Sequence, residues 1–170
     1  SVKEKLADGL FQKQFKEGVK DVDSRRGRTV TYAYEPDPPD LTGKALPEFA
    51  DIGVSFAPEQ ARDRRVLVCF WDVQQRPSRH YIAKLAEKAG FLADKGITVL
   101  CVHASGLEAK TVDEWIREYN IPFPAVPMAA DPEKARLAWG VKSLPWLILT
   151  NREHIVEANG FSLADLDERI

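Results

Sequence analysis

No apolar run in this sequence approaches the ~20 residues that a membrane-crossing helix needs, so no helical span is expected. An excess of charge of one sign is missing as well. The 24 Lys and Arg stand against 26 Asp and Glu, a net charge of −2, which sets up no global field toward nucleic acid or an anionic bilayer. The one basic cluster, Arg62-Asp-Arg-Arg65, contains an acid and precedes an apolar run; it reads as a solvated turn, and no nucleic-acid partner is expected. Histidine is scarce: His80, His103 and His154 show no metal-ligand spacing and no cysteine pair joins them, so neither metal nor cofactor is expected. Internal repeats and low-complexity tracts are absent. The chain also starts at Ser1 without Met or a signal-type apolar stretch. It is read as a piece of a longer protein, with any targeting or anchoring segment upstream.

Cysteine is nearly absent. Cys69 and Cys101 each sit inside an apolar run, Val66-Leu-Val-Cys-Phe-Trp71 and Ile97-Thr-Val-Leu-Cys-Val102. A thiol so placed behaves as a small buried hydrophobe with a raised pKa. The two runs could be neighbouring strands, where a disulfide is conceivable but geometrically demanding. Two such residues fix no redox compartment.

What is present is an ordinary globular composition, 44% hydrophobic and 29% charged over 170 residues, enough for one domain with a core and an extension. Residues 1–20 space Val2, Leu6, Leu10, Phe11, Phe15 and Val19 as on an amphipathic helix, weakened by Gly9 and Gly18. Asp21 to Arg28 is polar and turn-like, and Thr29 to Tyr34 is β-branched and aromatic, the signature of a strand. Glu35-Pro-Asp-Pro-Pro-Asp40 carries three prolines in six residues and reads as a linker. Residues 1–40 are thus an extension and linker, and 41–170 the folded domain. Within that domain the expected order is a short strand at Val54–Phe56, a turn over Pro58–Arg64, and a buried strand at Arg65–Trp71. A helix follows over Pro77–Lys95, with Ile82, Leu85, Ala86, Ala89 and Leu92 on one stripe and Gly96 at its end. A second buried strand spans Ile97–His103. A helix within Ser105–Tyr119 turns Val112, Trp115 and Ile116 inward, and another starts at Asp131 and runs to Trp139. A hairpin pairs Trp146–Thr150 with His154–Ala158, and Ser162 caps a last helix ending at Ile170. The alternation implies an α/β fold, a mixed central sheet with helices on both faces, plus the N-terminal helical and strand extension.

The segment Val68-Cys-Phe-Trp-Asp-Val-Gln-Gln-Arg-Pro-Ser-Arg79 resembles the active-site segment of the thioredoxin-like superfamily, in particular its TlpA/redoxin (AhpC/TSA-like) branch. There a buried strand ending in Phe-Trp leads into a Cys-Pro-Pro-Cys-Arg turn that opens a long helix. Phe70, Trp71, Pro77 and Arg79 match, while the two cysteine positions fall on Gln75 and Ser78. Trp139-Gly-Val-Lys-Ser-Leu-Pro-Trp-Leu-Ile-Leu149 resembles the family's Gly-Val-x-x-x-Pro-Thr segment, which implies that Pro145 is cis and faces the active-site turn. Leu41 to Phe49 is similar to the family's opening segment, and Glu114 to Pro124 to the stretch before its third helix. The likeness covers about residues 41–170 in the correct order. The branch is commonly extracytoplasmic, and the resemblance leans that way; the sequence leaves the compartment unknown.

Dithiol exchange needs a thiolate nucleophile and a second thiol to resolve the mixed disulfide. The family's helix N-terminus, which would polarise the first sulfur, is kept here, but Gln75 has no accessible redox state and the Ser78 hydroxyl is too basic to ionise without a partnered base. His80 lies two residues on, a spacing that does not face Ser78 on a helix. A Ser and a Pro at these positions are what a helix start favours. Peroxiredoxin-type chemistry needs one cysteine near the same turn, and none occurs between Asp72 and Lys95. Cys69 and Cys101 lie mid-strand, away from the carboxyl ends where sites of open α/β sheets form. The leading expectation is therefore a redox-inactive thioredoxin-like domain acting as a protein- or peptide-binding or scaffold module. Its groove would be formed by Trp71, Gln75, Arg76, Pro77, Ser78, Leu144, Pro145 and Trp146, with Tyr81 at the rim and no catalytic residue. Packing of Trp71 and Trp146 in the core is the competing reading. The resemblance alone implies a thiol–disulfide oxidoreductase or antioxidant redoxin. A third reading places an anion at the helix start beside Arg76 and Arg79, unless these are solvated or paired with acids.

Overall fold

The computed structural model describes residues 19–23, 28–32, 37–129 and 131–170, and the chain divides into two units between Asp37 and Pro38. In the first, β1 (Val19–Asp23) and β2 (Arg28–Tyr32) form an antiparallel pair, Val19 opposite Tyr32 and Asp23 opposite Arg28. β2 overlaps the β-branched run, beginning one residue earlier at Arg28. β1 is a correction, since a helix was expected to end near Val19 and a turn to begin at Asp21; the ladder offered by β2 outweighs a helical period already broken at Gly18. Residues 1–18 of the helix expected over residues 1–20 lie outside the described residues.

The second unit is built on a five-stranded sheet of order β5-β4-β3-β6-β7. β3 (Arg65–Trp71) and β4 (Ile97–His103) are its parallel centre, in register from Arg65 opposite Ile97 to Trp71 opposite His103. β5 (Ala125–Pro127) extends β4 in parallel, β6 (Trp146–Thr150) runs antiparallel to β3, and β7 (Val156–Asn159) antiparallel to β6. The near-continuous apolar runs of β3 and β4 make sense only in strands covered on both faces. Alternate residues part accordingly. Val66, Val68 and Phe70, with Leu100, Val102 and Ile148, pack against Ala135 and Trp139, the first in α4 (Pro132–Ala138) and the second just past its end, and against Phe49 and Ile52. Leu67, Cys69 and Trp71, with Val99, Cys101, Leu147 and Leu149, face the helices of the other layer. That layer holds Ile82 and Leu85 of α1 (Arg76–Glu87), Leu92 of α2 (Ala89–Asp94), Val112 of α3 (Ala109–Glu118) and Leu166 of α5 (Leu166–Arg169).

Several expected elements are corrected. The single helix over Pro77–Lys95 is two, because Gly90 weakens the helical ladder and the Lys88 N–H turns back to Leu85 O, an i−3 bond that closes α1. Val54–Phe56 forms no strand: Val54 N–H bonds to Phe49 O and Phe56 N–H to Val54 O, so its backbone is satisfied locally, beyond a left-handed Gly53. β5 was unexpected, since Pro122 and Pro124 read only as breaks; Cys101 N–H reaches Pro124 O at 2.9 Å and draws the following residues onto the open side of β4. Pro127 is tolerated there because the strand is an edge. β7 starts two residues later than expected, after a turn in which Asn151 Oδ1 accepts the Ile155 N–H at 2.9 Å. Asp131 caps α4, accepting the Glu133 N–H at 3.0 Å with Pro132 in the first turn. Ser162 accepts the Asp165 N–H, but opens a 3-10 turn over Leu163–Asp165 before α5 begins. Among the described residues no helix is long and apolar enough to cross a membrane.

Candidate functional site

The chain leaves β3 at Trp71 and turns through Asp72–Gln75 into α1, so the α1 N-terminus stands at the carboxyl end of the two central parallel strands. Gln75 is the N-cap, in extended conformation and without a side-chain cap, followed by Arg76, Pro77 and Ser78. Phe70 pairs with Trp146, which brings Pro145, the next residue outward, beside the end of β3. The Leu144–Pro145 peptide bond is cis. The main-chain groups of Ser143, Leu144 and Pro145 take part in no backbone–backbone hydrogen bond among the described residues. Of the residues expected to form the groove, Gln75 to Pro77 are exposed and Leu144 to Trp146 half-buried.

Other expected groove residues are placed elsewhere. Trp71 is fully buried, with His103 edge-on at 5.2 Å and Trp115 tilted at 5.2 Å, because odd-numbered residues of β3 point into the α1–α3 layer. It lines no groove. Trp146 packs toward the opposite face, its ring against Gly160, where an added Cβ would lie 2.5 Å from Cη2. Ser78 is fully buried and its Oγ has no partner. Tyr81 is half-buried against the α1–α3 layer. Of the two arginines of the anion reading, Arg79 donates from Nη1 to Val73 O at 2.7 Å and Arg76 is exposed. The carboxylate of Asp72 already lies at the turn, accepting the Gln74 N–H at 2.9 Å and the Gln75 side-chain amide at 3.4 Å.

Both thiols are free and fully buried. They face each other across β3 and β4 in the middle of the sheet. Burial pushes the Cys69 thiol up to about 12 and, with the neighbouring Cys69 adding to it, raises Cys101 well above the ordinary thiol range. No group of three or more metal-ligating side chains gathers among the described residues.

Three residues of the site went unrecognised in the sequence: Asp72, Val73 and His103. His103 is fully buried at the end of β4 and accepts the Val73 N–H on Nε2 at 3.1 Å. The signal was there in the pattern. Asp72 and His103 are polar residues closing two apolar runs of equal length, which parallel pairing brings together.

The order of strands and the helices on both faces are those of a thioredoxin-like fold, and solved structures agree. A thiol:disulfide interchange protein from Bacteroides sp. superposes with a TM-score of 0.56 at 18% identity, over 89% of this chain and 82% of that one. The thioredoxin domain of a thiol-disulfide oxidoreductase from Bacteroides vulgatus gives 0.57 at 18% identity, over 89% of both chains. StoA from Bacillus subtilis gives 0.53 at 14% identity, over 63% of this chain and 82% of that one. No protein-family model matches the chain, and no curated protein does.

Proposed function

We propose that residues 41–170 act as a thioredoxin-like module that binds an extended protein segment without dithiol chemistry, residues 1–40 being its extension and linker. What supports this reading is the main chain of Ser143–Pro145, which takes part in no backbone–backbone hydrogen bond among the described residues and leads into β6, together with an α1 start whose residues Gln75–Ser78 include no cysteine. An extended segment can add its own N–H and C=O groups to such a free stretch, with affinity from backbone pairing and selectivity from the neighbouring side chains. Gln75, Arg76, Leu144 and Trp146 are the accessible neighbours. The oxidoreductase alternative, which the names of the structural neighbours suggest, would need a thiolate, and burial opposes one at both Cys69 and Cys101.

A peptide array probed with the whole chain, followed by calorimetry on the best segment, tests the proposal. Binding that weakens in Trp146→Ala supports it. No binding, or binding indifferent to Trp146→Ala, counts against it. Insulin reduction or peroxide turnover by the whole chain that is lost in Cys69→Ser with Cys101→Ser would overturn the chemical half of the argument, because one of these buried thiols would then be the reacting sulfur.

A further inference from the structure

Beneath the exposed turn lies a polar group that binding at Ser143–Pro145 does not use. His103 Nε2 stands 3.1 Å from Val73 N, and a peptide N–H can only donate. Nε2 is therefore the acceptor, and the proton of the neutral ring sits on Nδ1; Ser105 Oγ lies beside the ring, 3.4 Å from Nδ1 and 3.5 Å from Nε2. The same Nε2 is 3.7 Å from Asp72 Oδ1. That carboxylate in turn holds the Gln74 N–H and the Gln75 amide. One imidazole thus touches both ends of the turn that presents Gln75: the Val73 peptide directly, and Gln74 and Gln75 through Asp72.

Resting on the binding reading above, we infer that His103 is a proton-operated latch on the Asp72–Gln75 turn and so regulates the same site. With the ring neutral, Nε2 holds the Val73 N–H and the turn is closed. When Nε2 takes a proton from solvent it becomes a donor. Val73 N–H then faces another N–H, and the imidazolium draws Asp72 Oδ1 toward itself and away from Gln74. The charged groups around the ring are few. Asp72 faces it from the end of β3, and Arg79 of α1 is engaged with Val73 O. Trp71 presents an uncharged ring, and β5 contributes Pro127 opposite His103. Burial holds the pKa of His103 below its ordinary value, while Asp72 and the Ser105 backbone oppose that shift. Protonation of His103 therefore requires a lower pH than that of an ordinary histidine.

Nuclear magnetic resonance of the whole chain between about pH 7.5 and about pH 4.5 tests the latch, using the His103 ring and Val73 amide signals. The expected result is one shared midpoint below about 6.5, with exchange protection of Val73 falling about fivefold across it. In Asp72→Asn the midpoint moves lower, because the opposing charge is gone. In His103→Gln, whose amide oxygen can accept the Val73 N–H at any pH, the Val73 signal stays flat. A Val73 signal that does not follow the His103 ring overturns the inference; so does a His103 ring that never titrates in this range, or an unchanged midpoint in Asp72→Asn. Should His103→Gln fail to fold, the wild-type titration and Asp72→Asn still decide. The affinity of an array-selected peptide is expected to drop below the same midpoint; an affinity flat with pH overturns the regulatory role. Absence of binding at every pH defeats the proposed function instead, and leaves the Val73 titration to judge the latch.

Discussion

Ser78→Ala should stabilise the protein, which is unusual for a fully buried polar residue in a first helical turn. Ser78 has no exposure to solvent and its Oγ finds no hydrogen-bond partner. A buried hydroxyl left without a partner carries a desolvation penalty of about 1–3 kcal/mol, which the substitution removes. Alanine also has the better helix propensity, by a few tenths of a kcal/mol up to about 0.5 kcal/mol, and the residue lies inside α1. The opposing cost is a void the size of one oxygen atom, roughly 0.5 kcal/mol by analogy with small truncations. The balance is a gain of about 1 kcal/mol. In a chain of this size that corresponds to a rise in Tm of about 2–4 °C. Urea unfolding followed by tryptophan fluorescence would read it as a higher midpoint at unchanged m, which separates a stability change from an altered denatured state. A loss of 1 kcal/mol or more would refute the reasoning, because it would mean that the hydroxyl at this position makes an interaction the fold depends on.

Two further outcomes follow from the same region. Folding holds the pKa of His103 below its ordinary value, so the unfolded chain takes up the proton first as pH falls. Stability contributed by this residue is present above about pH 6.5 and is lost as the pH drops from there through the folded value, a slope that His103→Gln should flatten in urea titrations at stepped pH. Gly160→Ala should destabilise by about 1–3 kcal/mol, since the residue sits at φ +64° and its new Cβ would lie 2.5 Å from the Trp146 ring. The loss of peptide binding that accompanies it, measured by calorimetry below the unfolding transition, reports whether Trp146 must hold its position.

Much of this architecture was legible in the sequence for physical reasons. Arg65–Trp71 and Ile97–His103 are apolar almost without interruption and fall on the strands with their full bounds, because only two-sided burial suits such runs. The cis Leu144–Pro145 peptide and the start of α1 stand where the resemblance implies. What could not be read depended on partners distant in sequence. β1 and β5 exist because β2 and β4 offer them open ladders, and neither Val19–Asp23 nor Ala125–Pro127 carries a strong strand pattern of its own. Trp71 was expected at the groove because the resemblance places the active-site turn directly after it; the alternation of β3 turns its side chain under α1 and α3 instead. The His103–Val73 bond was invisible because it joins residues 30 apart through the parallel register. A polar residue closing each of two apolar runs is the pattern that would have disclosed it.

The decisive measurement is the alkylation rate of the native thiols at neutral pH, resolved by mass spectrometry for Cys69 and Cys101 separately and compared with the urea-unfolded chain. Burial pushes the Cys69 thiol up to about 12 and raises Cys101 well above the ordinary thiol range, so both are held as unreactive thiols at neutral pH. Neither cysteine should be modified before the protein unfolds, and both should react at the ordinary rate once it has. Rapid alkylation of either one in the folded state would contradict the account, because this thioredoxin-like fold would then possess the polarised sulfur that its helix start lacks.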